Sequence, residues 1–350
     1  MTLATTAPDH RPSPDAGATA PSARHSNLPR IALGVGGQLA QLALVLLAVS
    51  GLTFLLLNAL PGSAADARIG PLPNFSPEER AQLTATFSKQ LGLDRSLLYQ
   101  YVIWVKDALG GNFGLTYQGL QVRDVVGARL GATIELGIAS VVFSVVGSVV
   151  VSMLAFRSRF RVVRGLLQAF TTVLLVLPAF WLGLMLVIVF AAELGWLPSA
   201  GYSPVSDGLG EHLKVLILPT LTLALPQMAL FFRYLNAGLR DTAGTPFVTA
   251  SRARGLGERS IAYRHVLPNA ALPTLTVVGL VVGSLISGLV IVESVFSWPG
   301  MGLLLVDSVR TKDYNTVAAI VLITAVTYVV VAFAVDILYR VLDPRIRRAA

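Results

Sequence analysis

The chain has 350 residues, of which 54% are hydrophobic and only 13% charged, with a mean hydropathy of +0.69. That balance excludes a soluble domain of ordinary make-up and identifies a membrane protein. The formal charge of +8 does not indicate nucleic acid, because the basic residues sit mainly beside apolar segments, where anionic headgroups and orientation account for them; the absence of cysteine excludes disulfides and thiolate chemistry.

Residues 1–30, rich in Pro, Ala and Ser and without apolar periodicity, read as a disordered cytoplasmic tail. Crossing about 30 Å of hydrocarbon takes about 20 predominantly apolar residues. Six segments qualify: 31–57, 132–156, 165–192, 215–235, 270–292 and 317–338. The fold class is therefore an all-α membrane protein of six transmembrane helices, with a membrane body over residues 31–340 and a cytoplasmic tail at 341–350. The first segment is too long, and lacks the small-residue site, to be a cleaved signal peptide. Short-loop arginines set the orientation. Arg157, Arg159, Arg161 and Arg164 follow the second span, Arg240, Arg252, Arg254, Arg259 and Arg264 follow the fourth, and Arg340, Arg345, Arg347 and Arg348 follow the last. The other side offers only Lys214, Arg310 and Lys312 in its short loops, so both termini are expected in the cytoplasm.

Between the first two spans, the external segment 61–131 carries helical signals. Ser76-Pro77-Glu78-Glu79 is a capping box, Leu83, Phe87 and Leu91 follow on one face, and Leu98, Tyr101, Val102, Val105 and Leu109 form a second amphipathic run. A small helical cap on the outer ends of the spans is the favoured reading; a surface for a soluble delivery protein is compatible with it.

Within the spans, Ser140, Ser144, Ser148 and Ser152 recur every four residues, and Gly279 and Gly283 form a GxxxG pair continued by Ser287. Small residues at this spacing let helices approach closely in lipid, so packing is favoured over lining a substrate path. Pro178, Pro219 and Pro226 are expected to kink or break their spans. Glu135, Glu193, Arg233, Glu293 and Asp336 all lie near span ends, unlike the deep carboxylates of a proton-driven carrier.

The polar island GTPFVTASRARGLGERSIAYRHVLPN lies within the inner segment 236–269. Thr245 suits an N-cap, Pro246 the first helical position, and Gly255 a left-handed stop after the helix 246–254. A second helix is expected over 258–266, stopping at Pro268. His10, His25, His212 and His265 are scattered and read as solvated or capping groups, with no metal site and no cofactor expected. The absence of a GxxxxGK loop followed by Ser or Thr means that any ATP is expected to bind another subunit.

The island, with its small-residue helix, glycine and closing Leu-Pro, resembles the EAA coupling loop of binding-protein-dependent ABC importers, with Thr249-Ala250-Ser251 standing where that family has Glu-Ala-Ala. Leu60-Pro61-Gly62, Leu91-Gly92-Leu93-Asp94, Leu177-Pro178-Ala179-Phe180-Trp181-Leu182-Gly183, the run from Val292-Glu293-Ser294 to Trp298-Pro299-Gly300-Met301-Gly302, and Leu342-Asp343-Pro344-Arg345 are similar to the dipeptide and oligopeptide permeases, specifically the first of their two membrane subunits. Ser63 replaces that family's usual aspartate.

The resemblance implies a non-enzymatic subunit of the inner membrane, working with a second related permease, two ATP-binding ABC subunits and an external solute-binding protein. Its substrate class would be short peptides, with nickel chelates or glutathione as the alternative. The coupling residues it carries over are Thr249, Ala250, Arg252, Ala253, Arg254, Gly255, Leu256 and Pro268. In that family's mechanism, closure of the ATPase pair moves the short inner helix as a lever whose angle Gly255 would fix. Arg252, Arg254 and Arg259 are open to two readings, contacts in an ATPase groove or ordinary orientation charges. Two readings from other classes are a proton-coupled carrier, which lacks its deep ionisable groups here, and a non-transporting scaffold, which leaves the span breaks unexplained.

Overall fold

The computed structural model describes residues 28–59, 76, 78–79, 86 and 95–342. Among them the regular structure is helical, apart from one isolated antiparallel bridge between Leu115 and Gln121. The tail 1–27, the motifs at 60–62 and 91–94, the positions Leu83, Phe87 and Leu91, and residues 343–350 lie outside the described residues. The helices are α1 (Leu28–Ala59), α2 (Leu97–Leu109), α3 (Val122–Arg157), α4 (Arg161–Val176), α5 (Ala179–Leu186), α6 (Leu209–Ala243), α7 (Pro246–Ala253), α8 (Glu258–Ser260), α9 (Leu267–Phe296), α10 (Met301–Arg310) and α11 (Tyr314–Leu342).

Among the described residues, five helical stretches are long and apolar enough to cross a bilayer: Leu42–Ala59, Val122–Arg157, Leu209–Ala243, Glu258–Val282 and Tyr314–Val335. Two bent pairs can add to them, Arg161–Val176 with Ala179–Glu193 at 113°, and Ser287–Phe296 with Met301–Arg310 at 80°. The spans expected at 132–156 and 215–235 are longer than their hydropathy suggests. α3 starts within the segment assigned to the external region, and α6 continues to Ala243, so 122–131 and 236–243 are helix rather than loop.

The prolines behave unequally. At Pro178 the chain breaks as expected: Leu177 and Pro178 are both extended, as a residue before proline prefers, and α5 begins at Ala179. Pro219 and Pro226 lie inside α6 without breaking it, which corrects the expected break at these two positions. Side-chain hydroxyls supplement the carbonyl ladder beside these prolines, Thr222 donating to the Leu218 carbonyl at 2.8 Å and Ser144 of α3 to that of Ala224 at 3.1 Å.

The serine stripe and Gly279 lie at packing contacts, whereas Ser287, at the end of the glycine row, is exposed. Ser140, Ser144, Ser148 and Ser152 are all buried where α3 lies on α6, the most extensive helix pairing in the molecule. A Cβ on Gly147 of α3 would meet Met228 Sδ at 2.7 Å, and one on Gly238 of α6 would meet the Ala270 carbonyl at 2.7 Å. On the other flank Gly279 of α9 is pressed against Val335 of α11. Close approach of this kind is what small residues permit between helices in lipid.

The segment between α1 and α3, expected to be external, contributes a cap whose packing face differs from the expected one. Both reciprocal bonds of the capping box are present, Ser76 N–H to Glu79 Oε2 at 2.9 Å and Glu79 N–H to Ser76 Oγ at 3.2 Å, and they hold the Glu79 carboxyl below its ordinary range. α2, however, turns Tyr101 and Trp104 onto Phe54 of α1, with Tyr101 sharing a hydrogen bond with Ser50 at 2.7 Å. Leu98, Val102 and Leu109 stay exposed. The helix is apolar on several faces, and the aromatic contacts and the Ser50 hydroxyl decide among them.

Candidate coupling site

One end of the bundle carries most of the arginines and a protruding helix. α7 follows α6 after the turn at Gly244 and Thr245, with Pro246 at its first position. Thr245 occupies the N-cap position but does not cap: its hydroxyl donates back to the Thr242 carbonyl at 2.6 Å, which corrects the expected role. The far end of α7 is closed as its sequence predicts. Gly255 has φ +78°, its N–H donates to the Arg252 carbonyl at 2.9 Å, and the Leu256 N–H reaches back to the Ser251 carbonyl at 3.3 Å. This pair of bonds around a left-handed glycine is the Schellman arrangement.

The inner face of α7 is anchored. Val248 is fully buried in a cluster with Met153 of α3, Leu235 and Leu239 of α6, and Ile261, Val266 and Ala270 at the root of α9. The opposite face is free. Thr249, Ala250, Arg252, Ala253, Arg254, Gly255 and Leu256 are all exposed, and so is Pro268 further along. Seven of the eight expected coupling residues therefore form one continuous outward surface over α7 and its turn. Pro268 is separated from them by α8 and the following turn.

The second inner helix is not a separate element ending at Pro268. α8 passes through a π-helical turn, Ile261–Val266, directly into α9, with Pro268 in the first turn of that helix. Within the junction, Asn269 Nδ2 donates to the His265 carbonyl at 2.7 Å, and the wider π turn relieves the clash that a proline ring makes in a tighter one. Displacement of the α7–α8 turn is thus mechanically continuous with a membrane-crossing helix.

Residues missed by inspection of the sequence complete the surface. Arg252 forms a two-point pair with Glu258 across the Gly255 turn, which holds the Glu258 carboxyl below its ordinary range. Phe247 and Tyr263 add exposed rings beside it, Phe247 edge-on to His265 and Tyr263 beneath the Arg157 guanidinium. A cavity of about 350 Å³ opens between Arg157 of α3 and the Arg252–Glu258 pair. The spacing of six between Arg252 and Glu258 is a signal only once a turn is placed between them.

At the opposite end a second motif closes the bundle. Glu293 is completely buried and accepts hydrogen bonds from Thr133 Oγ1 at 2.8 Å, Gly302 N–H at 2.7 Å and Leu303 N–H at 3.1 Å. It thereby satisfies the N-terminus of α10. Trp298, also fully buried, donates its indole N–H to the Ala132 carbonyl at 2.9 Å. Gly300 lies against the Glu293 carboxylate with no room for a Cβ. His212 is not the solvated group its sequence context suggests: it is buried, with Nδ1 at 2.7 Å from the Ser203 carbonyl and Nε2 paired with Glu135. No metal-binding cluster occurs among the described residues.

These features define a multi-span α-helical membrane protein with a rigidly seated helix exposed at its basic end. The model of the family described as binding-protein-dependent transport system inner membrane component matches residues 147–348. A chain of Brucella suis biovar 1 that carries a peptide-permease name is 34% identical over 328 residues, covering 91% of this chain and 98% of that one. The glutathione transport system permease protein GsiC of Escherichia coli is 35% identical over 300 residues, covering 85% and 94% respectively. Among solved structures, a chain of the MetNI methionine ABC transporter in inward-facing conformations shares the fold, with a TM-score of 0.50 at 16% identity over 63% of this chain and 96% of that chain. The chain belongs to the family of binding-protein-dependent transport system inner membrane components and is a permease subunit of an ABC importer.

Proposed function

We propose that this permease carries short peptides across the inner membrane and that α7, with the Gly255 turn, is the surface on which a separate ATPase subunit acts. The observation that carries the coupling assignment is the division of α7 into a buried face anchored by Val248 and an exposed face running from Thr249 to Leu256. A helix held on one side by three spans moves as a unit when it is pushed on the other. Support for a peptide substrate comes from the relative with a peptide-permease name; glutathione, itself a small peptide, is favoured as the second reading by the GsiC similarity.

In this reading the basic end faces the cytoplasm, α4 and α5 together form one broken span, and the total is six. A second permease, two ATPase subunits and an external solute-binding protein complete the machine. Affinity purification of this chain should bring down ATPase subunits, and the reconstituted complex should accumulate labelled di- and tripeptides only with ATP. Uptake of glutathione in preference to other tripeptides would select the second reading. Uptake driven by a proton gradient without ATP would overturn both.

A further inference from the structure

At the basic end, α3 and α4 diverge around a groove of about 700 Å³. Its walls are aliphatic, including Val150 and Leu154 of α3 and Val163 and Leu167 of α4. Its mouth is the α3–α4 turn, where Arg157, Ser158 and Arg159 line the opening, with Tyr263 across from them. The two arginines engage aromatic faces rather than carboxylates: the Arg157 guanidinium lies 5.7 Å from the centre of the Tyr263 ring and that of Arg159 5.0 Å from the centre of the Phe160 ring. Arg161 and Arg164 follow in the first turn of α4, and among the described residues none of these four arginines pairs with a carboxylate.

An apolar slot beneath a mouth of uncompensated guanidinium groups has the chemistry of an amphiphile with an anionic head. We propose that this groove binds an anionic phospholipid, its acyl chain along Val150, Leu154 and Leu167 and its phosphate between Arg157 and Arg159. Guanidinium groups recognise phosphate oxygens through paired N–H donors, and basic pockets between membrane helices select acidic headgroups. The complementarity commits the site to lipid: a peptide partner would need both an acidic group and a long unbranched apolar arm to fill the same space. Placing the lipid in the cytoplasmic leaflet rests on the orientation proposed above.

The assembled transporter, extracted from nanodiscs of phosphatidylethanolamine and phosphatidylglycerol, would be examined by native mass spectrometry for retained lipid. Phosphatidylglycerol should be retained in preference. Retention should fall by about fivefold for each of Arg157→Gln and Arg159→Gln, and Leu154→Trp should reduce it by filling the slot without changing charge. Arg240→Gln, at the same end but away from the groove, should retain lipid as the unmodified complex does. Equal retention of phosphatidylethanolamine, or undiminished phosphatidylglycerol in the three groove variants, would overturn the proposal. The headgroup comparison on unmodified complex stands even where a variant fails to assemble. Reactivity of a cysteine at Thr249 from outside the cell would instead reverse the orientation and move the site to the other leaflet, leaving retention itself unchanged.

Discussion

Arg252 and Glu258 bracket the left-handed turn at Gly255, joined by Nε to Oε1 at 2.7 Å and Nη2 to Oε2 at 3.3 Å. The pair fixes α7 relative to α8 from outside the lipid, while Val248 fixes it from within. Both partners are solvated, so the pair is expected to set an angle more than to stabilise the fold. Arg252→Glu and Glu258→Arg alone should each lower peptide uptake per ATP hydrolysed, and the two together should restore it. Equal loss in the double variant would mean that Arg252 acts through another partner.

The same pair carries a pH expectation. The hydrogen bond from Arg252 depresses the Glu258 carboxyl below its ordinary 4.5, so its contribution is complete above 4.5 and is lost only as pH falls through the lower folded value. The Arg252 guanidinium is raised by the same bond, so its contribution is lost only at extreme alkalinity. Transport coupling should therefore be flat with pH through the neutral range. A titration of the uptake-to-hydrolysis ratio with a midpoint near neutrality would place control of the turn in some other group.

At Gly255 the cost of substitution is purely conformational, because a Cβ there meets nothing within 4 Å while φ is +78°. Gly255→Val should cost roughly 1–2 kcal/mol at the turn and misdirect α8, weakening ATPase pull-down and uptake without preventing membrane insertion. Gly255→Asn, which tolerates left-handed geometry, should retain most of both. If asparagine is as damaging as valine, backbone conformation is not what this glycine supplies.

Much of this architecture was legible because lipid imposes strong patterns. Apolar runs marked the spans, four-residue spacing marked the α3–α6 contact, and a glycine after a short helix marked the Schellman turn. What was hidden depended on partners remote in sequence or on local backbone choice. Pro178 breaks its span while Pro219 and Pro226 do not, although the residue types alone do not distinguish them. The passage of the chain through Pro268 depends on a π turn that hydropathy does not announce. Glu135 and His212, distant in sequence, read as unrelated end groups until α3 and α6 bring them together. Glu293 similarly reads as an end carboxylate, and only the bend into α10 reveals that it caps that helix.

Glu293 faces three donors, so Glu293→Gln replaces an acceptor oxygen with an amide that opposes backbone N–H groups. Loss of a satisfied buried bond of this kind should destabilise by roughly 1–3 kcal/mol, seen as a lower unfolding temperature in detergent. Gly300→Ala should act at the same place by forcing a methyl group against the carboxylate. Because both changes disrupt one clasp, the double variant should be much less destabilised than the two effects added together. Simple additivity would separate Gly300 from the Glu293 contact.

The phenol of Tyr202, edge-on to Trp298 at 4.8 Å, is pushed above its ordinary 10.0 by burial and then by the Glu135 charge and hydrogen bond. Its contribution is present below 10.0 and is lost as pH rises through the folded value. Glu135→Gln should bring the ionisation of Tyr202 back toward 10.0, read as the alkaline ultraviolet difference from a Tyr202→Phe background. An unmoved titration would remove Glu135 from that environment.

The orientation and the coupling surface can be tested together, since the chain has no native cysteine. Gln118 is exposed in the loop before α3, and Thr249 is exposed on α7 at the opposite end of the bundle. A cysteine at Gln118 should react with a membrane-impermeant thiol reagent in intact cells, and one at Thr249 only after permeabilisation. In permeabilised membranes the Thr249→Cys label should fall when ATPase subunits are supplied, because the exposed face of α7 is then covered, while the Gln118→Cys label should not change. Reversed labelling would invert the topology. Correct sidedness with undiminished labelling at 249 would leave the membrane assignment standing and remove α7 as the ATPase contact.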